Sequence, residues 1–278
     1  MIGLGLYKMT EADLERAIPA ALDAGYRLFD TAAVYRNEEA FARILRENLE
    51  VRGIPRSAVF VTTKLSPRTQ GLLRAPKGLE ESLQKLAPLH YVDLLLIHWP
   101  GAAKIPPSSS ENRKMRLESW NYLCELRKSK MAELSRWSLS NPVDTTECRI
   151  DSDGSHASDA SQFVCKSEST TDSILSNESQ HVFNGNGVPN SRITRLAPLL
   201  ELVNSPNPVS EPLRVLNRWM IHRHHGDSNP PPIVVLNLGV SNYEERHLSE
   251  IILSDCDQYC PVLNQIEIHP LFHPQVKY

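Results

Sequence analysis

The sequence has no apolar run long enough to cross a membrane, and its first ten residues do not combine a basic segment with an apolar stretch. It also has no large excess of charge of either sign, because 30 basic and 33 acidic residues leave a formal net charge of -3. A broad cationic surface that would attract nucleic acid or anionic lipid is therefore not expected. We expect a soluble, cytoplasmic protein that binds neither nucleic acid nor membranes.

Cysteine is scarce, and its five positions are scattered: Cys124, Cys148, Cys165, Cys256 and Cys260. An odd, irregular set favours reduced thiols over a disulfide framework. Cys256 and Cys260 precede His269 and His273, but only eight residues separate the two pairs, whereas zinc fingers use about twelve. We expect no metal site. The sequence also lacks a glycine-rich dinucleotide fingerprint, which disfavours a Rossmann dehydrogenase.

The chain divides into three segments of different composition. Residues 1–137 alternate short apolar runs with amphipathic stretches, as repeated βα units do. Residues 138–235 are rich in Ser, Asn, Asp and Pro, so we expect a disordered low-complexity insertion there, in which 192–203 and 211–225 could form short amphipathic helices. Residues 236–278 return to the βα pattern. The expected elements are helices at Glu11–Ala24 and Asn37–Leu49, and strands at Tyr26–Asp30, Val59–Thr63, Val92–Ile97, from Val234, and Val262–Ile268.

Three polar residues follow predicted strands at equal intervals. Asp30, Lys64 and His98 are each 34 residues apart, about the length of one βα unit. In a barrel of parallel strands, the residues at the carboxyl ends of the strands gather on one face. We therefore expect these three side chains to be neighbours, although each taken alone also fits a turn cap, a solvated charge or a buried histidine.

Five motifs in order resemble those of the aldo-keto reductase family: Asp30-Thr-Ala-x-x-Tyr35, Thr63-Lys64, Leu96-Ile-His98-Trp-Pro100, Gly239-Val-Ser-Asn242 and Asn264-Gln-x-Glu-x-His-Pro270. The resemblance covers residues 1–130 and 236–274. It implies a (β/α)8 TIM-type barrel that is incomplete here, with about six of the eight βα units. We expect a truncated isoform, because nothing resembles the seventh and eighth strands or the basic loop for the adenosine 2'-phosphate.

The resemblance also implies a reaction, in which NADPH delivers hydride to the carbonyl carbon of a small aldehyde or ketone. Tyr35 would be the general acid, and Lys64 would lower the pKa of its phenol. Asp30 would hold Lys64 in place, and His98 would hydrogen-bond the substrate oxygen.

The remaining site residues come from the same resemblance. Ser241, Asn242 and Gln265, together with Asp30, would bind the nicotinamide part of the cofactor. Tyr7 and Trp99 would line the substrate pocket with Tyr35 and His98, although core packing is the alternative for the two aromatic residues. A catalytically inactive, family-like fragment that acts in interaction or regulation is the alternative function. The sequence leaves the substrate, the oligomeric state and the purpose of the insertion undetermined.

Overall fold

Six parallel strands lie side by side in sequence order in the computed structural model, which describes residues 2–140, 216, 219, 230–253 and 260–269. The strands are β1 (Gly3–Gly5), β2 (Leu28–Asp30), β3 (Phe60–Leu65), β4 (Tyr91–Ile97), β5 (Val234–Ser241) and β6 (Asn264–Gln265). Among the described residues, β1 pairs only with β2 and β6 only with β5, so the sheet is open at both ends. The expected fold class, an incomplete barrel of six βα units, is confirmed.

Within the described ranges, five helices have defined bounds and connect or follow these strands: α1 (Glu11–Asp23), α2 (Glu38–Val51), α3 (Ala75–Leu86), α4 (Glu111–Ser140) and α5 (Glu245–Ile252). The first shows why the sequence folds this way. Thr10 and Asp13 form a capping box at the start of α1, and Gly25 follows its end with φ of +86°, which costs glycine little. No helix in the described ranges has the length and apolarity needed to span a membrane.

The strand ends differ from the expected ones in ways that matter for the site. Asp30 is the last residue of β2, and Lys64 lies inside β3 rather than after it, because β3 pairs with β4 as far as Leu65. The expected strand Val262–Ile268 is wrong in extent: only Asn264–Gln265 form a strand, since β5 offers them just two pairing positions.

A buried ion pair lies near the amino ends of β3 and β4. The guanidinium of Arg56 donates to Oδ2 of Asp93 at 2.7 Å and to the carbonyl of Tyr91 at 2.9 Å. The same Asp93 oxygen accepts from the backbone N–H of Val61 at 2.8 Å. Both charged side chains are nearly inaccessible, with exposed fractions of 6% and 12%. This pair therefore joins the segment before β3 to β4 near the amino ends of the two strands.

A second hydrophobic cluster extends the core beside β4 and β5. Trp137 of α4 packs edge-on against Trp219, with ring centroids 5.9 Å apart. Leu216 and Trp219 are helical and buried, and they are the only described residues of the expected 211–225 helix. The expected helix at 192–203 and most of the expected insertion lie outside the described residues.

Candidate active site

A cleft of about 400 Å³ opens at the carboxyl ends of the strands and collects every site residue expected from the sequence. β2, β3, β5 and β6 contribute residues at or near their carboxyl ends, and the segments after β1, β2, β4, β5 and β6 contribute the others. The lining residues are Tyr7, Asp30, Val34, Tyr35, Lys64, His98, Trp99, Ser241, Asn242, Gln265, Ile266 and Glu267.

Lys64 joins the acid–base groups of the cleft. Its Nζ lies 2.6 Å from both carboxylate oxygens of Asp30 and donates to the carbonyl of Thr31 at 3.0 Å. The same Nζ is 3.4 Å from the phenol oxygen of Tyr35. The side chain is 3% exposed, so these three groups replace the water that an ammonium would otherwise bind.

The pKa of Tyr35 reflects both its burial and the charges around it. Burial, and then the nearby carboxylate of Asp30, raise the pKa of Tyr35 to about 12. Burial also lowers the pKa of Lys64, against the opposing effect of Asp30. Burial and Asp30 thus set the direction of the net shift; the opposing effect expected of Lys64, whose Nζ lies 3.4 Å from the phenol oxygen, stays a prediction. Tyr35 therefore keeps its proton throughout the neutral pH range.

His98 faces Tyr35 from the other side of the cleft. The two rings are nearly perpendicular, with centroids 5.8 Å apart. Burial, and then the charge of Lys64, lower the pKa of His98 to about 4, so the imidazole is neutral at neutral pH. Its Nδ1 is buried and has no hydrogen-bond partner among the described residues. Trp99 stacks beside it, with ring centroids 6.3 Å apart.

A network of polar side chains spans the ends of β5 and β6. Ser241 donates to the backbone carbonyl of Gln265 at 2.9 Å, and Asn242 donates to the carbonyl of His98 at the same distance. Asn242 has φ of +61°, a left-handed conformation that Asn tolerates better than most residues. Nε2 of Gln265 donates to Asp30 at 3.3 Å, whereas its Oε1 is buried without a partner in the described structure.

Two buried amides that support the cleft were missed in the sequence. Gln70 donates to the carbonyl of Trp99 at 2.6 Å and to that of Gly101 at 3.3 Å, and so holds the segment after β4. Asn37 contacts the segments after both β1 and β2. Asn37 looks like an ordinary helix cap in the sequence, and Gln70 has no pattern that distinguishes it from a surface glutamine.

Comparison with known proteins gives a consistent set of similarities. Residues 1–135 match the model of the Aldo/keto reductase family. An aldo-keto reductase of Mycobacterium sp. (strain MCS) is 49% identical over 100 residues, which are 36% of this chain and 34% of that protein. An aldo-keto reductase of Mycolicibacterium smegmatis is 46% identical over 101 residues, again 36% and 34%. The matched region thus spans about a third of these relatives' length.

A solved structure extends the likeness of the fold. The crystal structure of an aldo/keto reductase from Brucella melitensis superposes with a TM-score of 0.52 and 22% sequence identity. The superposition covers 99% of this chain and 59% of the other. At this identity the likeness concerns the fold alone.

Proposed function

We propose, on the premise that residues 1–135 belong to the aldo-keto reductase family, that this chain reduces aldehydes or ketones to alcohols with NADPH. The observation that carries the proposal is the junction at Lys64, whose Nζ lies 2.6 Å from Asp30 and 3.4 Å from the phenol oxygen of Tyr35. A charged lysine, its counter-ion and a protonated phenol meet at the mouth of one cleft. In this arrangement the phenol of Tyr35 is suited to donating a proton to the alkoxide that forms at the substrate.

Tyr35 is the proposed general acid. NADPH, when bound, supplies the hydride, and the carbonyl oxygen then needs a proton. A phenol with a pKa of about 12 is still more acidic than an aliphatic alcohol, so proton transfer to the alkoxide is favourable. The phenolate that remains lies 3.4 Å from the ammonium of Lys64, which stabilises the new negative charge.

His98 is the proposed partner of the substrate oxygen. Because its pKa is about 4, the imidazole is neutral and provides one N–H donor and one acceptor. A neutral donor orients the carbonyl without competing with Tyr35 for the role of acid.

The residues at the ends of β5 and β6 fit the carboxamide of a nicotinamide. Oε1 of Gln265 is a buried acceptor without a partner among the described residues, and a carboxamide N–H would satisfy it. Ser241 and Asn242 line the same part of the cleft and offer hydroxyl and amide groups. The aromatic rings of Tyr7 and Trp99, which are 63% and 49% exposed, give the proposed substrate side of the cleft an apolar surface. Aromatic or aliphatic carbonyl compounds suit that surface.

The test is consumption of NADPH by the full chain with an aromatic aldehyde such as benzaldehyde. We expect Tyr35→Phe to reduce turnover by about 10²- to 10⁴-fold, the usual contribution of a positioned general acid. Tyr122→Phe is the matched control, because Tyr122 lies on α4, does not line the cleft and is only half-buried. Equal activity of Tyr35→Phe and the control would contradict the role of Tyr35.

A non-catalytic role in protein interaction is the second candidate. It is favoured by the open sheet, since β1 and β6 each have a single neighbouring strand within the described residues. Apolar side chains next to these strands, at Ile2, Val262 and Ile268, are more than half exposed. Titration with NADPH separates the two candidates: saturable quenching of protein fluorescence supports the reductase, and a folded sample that shows no quenching supports the interaction role.

A further inference from the structure

Asn37 precedes α2 at the position where an asparagine normally caps a helix, yet its side chain makes no capping hydrogen bond. Asn is among the most favourable residues at this position because its side-chain oxygen accepts from the first helical N–H groups. Here the amide is 6% exposed and all its contacts are with other parts of the chain. Its buried polar atoms are therefore used for something other than starting the helix.

The side-chain oxygen of Asn37 links the two ends of segment 31–37, which carries Tyr35. Oγ1 of Thr31 donates to Oδ1 of Asn37 at 3.0 Å, and Tyr35 lies between these two residues in the chain. The backbone carbonyl of Thr31 in turn accepts from Nζ of Lys64 at 3.0 Å. The hydrogen bond between Thr31 and Asn37 thus joins both ends of the Tyr35 segment beside the lysine that the phenol must reach.

The nitrogen of the same amide holds the turn that carries Tyr7. Nδ2 of Asn37 donates to the carbonyls of Leu6 at 2.9 Å and Met9 at 3.2 Å. Lys8, within this turn, has φ of +63°, a strained conformation that persists only where surrounding contacts fix it. The ring of Tyr7 then lies 5.1 Å from that of Tyr35, measured between centroids.

We infer that Asn37 is a positioning residue that sets the separation of Tyr7 and Tyr35, and thereby couples the wall of the substrate pocket to the proton donor. The inference rests on the proposed function, because it assigns Tyr35 to proton transfer and Tyr7 to substrate binding. Asn37 touches neither substrate nor cofactor in this scheme. It acts through the two segments that its donor and acceptor groups hold.

Two substitutions test the donor and the acceptor of the Asn37 side chain separately. Asn37→Asp keeps the acceptor for Thr31 but loses both donors to Leu6 and Met9, and it places a carboxylate against their carbonyls. Thr31→Val removes only the hydrogen bond to Asn37 and keeps the shape of the side chain. We expect Asn37→Asp to raise KM and lower kcat, with a fall in kcat/KM of about 10- to 100-fold, and Thr31→Val to act mainly on kcat. Thr31→Ser, which keeps the hydroxyl, should lose less than Thr31→Val.

Asn112 provides a matched control. It is buried to a similar degree, its Oδ1 accepts from the backbone of Ala102, and its Nδ2 donates to the carbonyl of Pro106. Asn112→Asp should therefore lower the melting temperature about as much as Asn37→Asp does, without the same rise in KM. Equal losses of kcat/KM in the two variants would show that Asn37 supports only the fold, and would overturn the inference.

Crystal structures of the wild type, Asn37→Asp and Asn112→Asp give a readout that does not depend on activity. We expect the Tyr7–Tyr35 centroid distance of 5.1 Å to increase in Asn37→Asp and to remain in Asn112→Asp. If the wild type shows no turnover, the proposed function fails, while the ring separation still decides whether Asn37 positions the two tyrosines. An unchanged separation in Asn37→Asp contradicts the inference whatever the activity.

Discussion

Two Arg–Asp pairs of this protein have the same contact distance but different burial, and they should differ several-fold in their effect on stability. Arg56 and Asp93 approach to 2.7 Å with side chains 6% and 12% exposed. Arg52 and Asp23 also approach to 2.7 Å, but with side chains 23% and 64% exposed. Asp93→Asn and Asp23→Asn each remove one negative charge and retain the shape of the side chain. The two pairs differ in burial and in the additional contact of Asp93 with the backbone N–H of Val61.

Removal of one partner from a buried ion pair costs about 3–5 kcal/mol, because the remaining charge is left without compensation away from water. Loss of an exposed pair costs less than about 1 kcal/mol, since water solvates the remaining charge. A domain has about 5–15 kcal/mol of stability in total. Asp93→Asn should thus remove a large part of the unfolding free energy, whereas Asp23→Asn should leave it nearly unchanged.

The assay is urea unfolding at pH 7 followed by circular dichroism, with the free energy of unfolding extrapolated to water. A double-mutant cycle that adds Arg56→Met measures the coupling within the buried pair. Arg56 also donates to the backbone carbonyls of Val59, Leu89 and Tyr91, so we expect the double variant to be no more stable than Asp93→Asn alone. Similar losses of stability in Asp93→Asn and Asp23→Asn would refute the effect assigned to burial.

Three further predictions concern the site and its support. Burial raises the pKa of Glu38 above the usual 4.5, so ionisation of this side chain opposes folding as the pH rises. Glu38→Gln should therefore melt at a higher temperature than wild type at pH 8 but not at pH 4. Glu39→Gln, at an exposed position, is the control and should show no such difference. Burial lowers the pKa of His98 to about 4, so its ring resonances in NMR should not titrate above pH 5, and titration near pH 6.5 would contradict this. Because this histidine takes up a proton more readily in the unfolded chain, wild type should lose stability as the pH falls from 6.5 to 4, and His98→Gln should lose less. Gln70→Leu removes the donor to the carbonyl of Trp99, and we expect it to raise KM for an aromatic aldehyde about fivefold with little change in kcat. A change confined to kcat would show that Gln70 does not position Trp99 for substrate binding.

The repeat of the strands made three of the site residues predictable from their spacing, whereas the others were predicted from the resemblance of the motifs to those of a known family. Asp30, Lys64 and His98 come at equal intervals because each βα unit returns the chain to the same face of the sheet, and their proximity follows from that repeat. The raised pKa of Tyr35 was not predictable, because it depends first on how deeply the phenol is buried and then on the nearness of the Asp30 carboxylate.

Supporting residues were harder to predict because their roles depend on the three-dimensional surroundings. Arg56 follows a proline in a polar segment and looks solvent-exposed in the sequence, yet it is buried against Asp93. Asn37 fits a helix cap so well that nothing in the pattern suggests its contacts with Leu6 and Thr31. Long-range hydrogen bonds of this kind leave no periodicity for sequence analysis to detect.

The hydrogen bond between Gln265 and Asp30 joins residues that are 235 positions apart. Ribosomes make proteins from the amino terminus, so Asp30, Tyr35 and Lys64 emerge long before Gln265 does. Contacts between such distant positions also close late in folding. In a refolding experiment, recovery of the proposed NADPH binding should therefore lag behind recovery of helical content, so that binding reports on the last contacts to form.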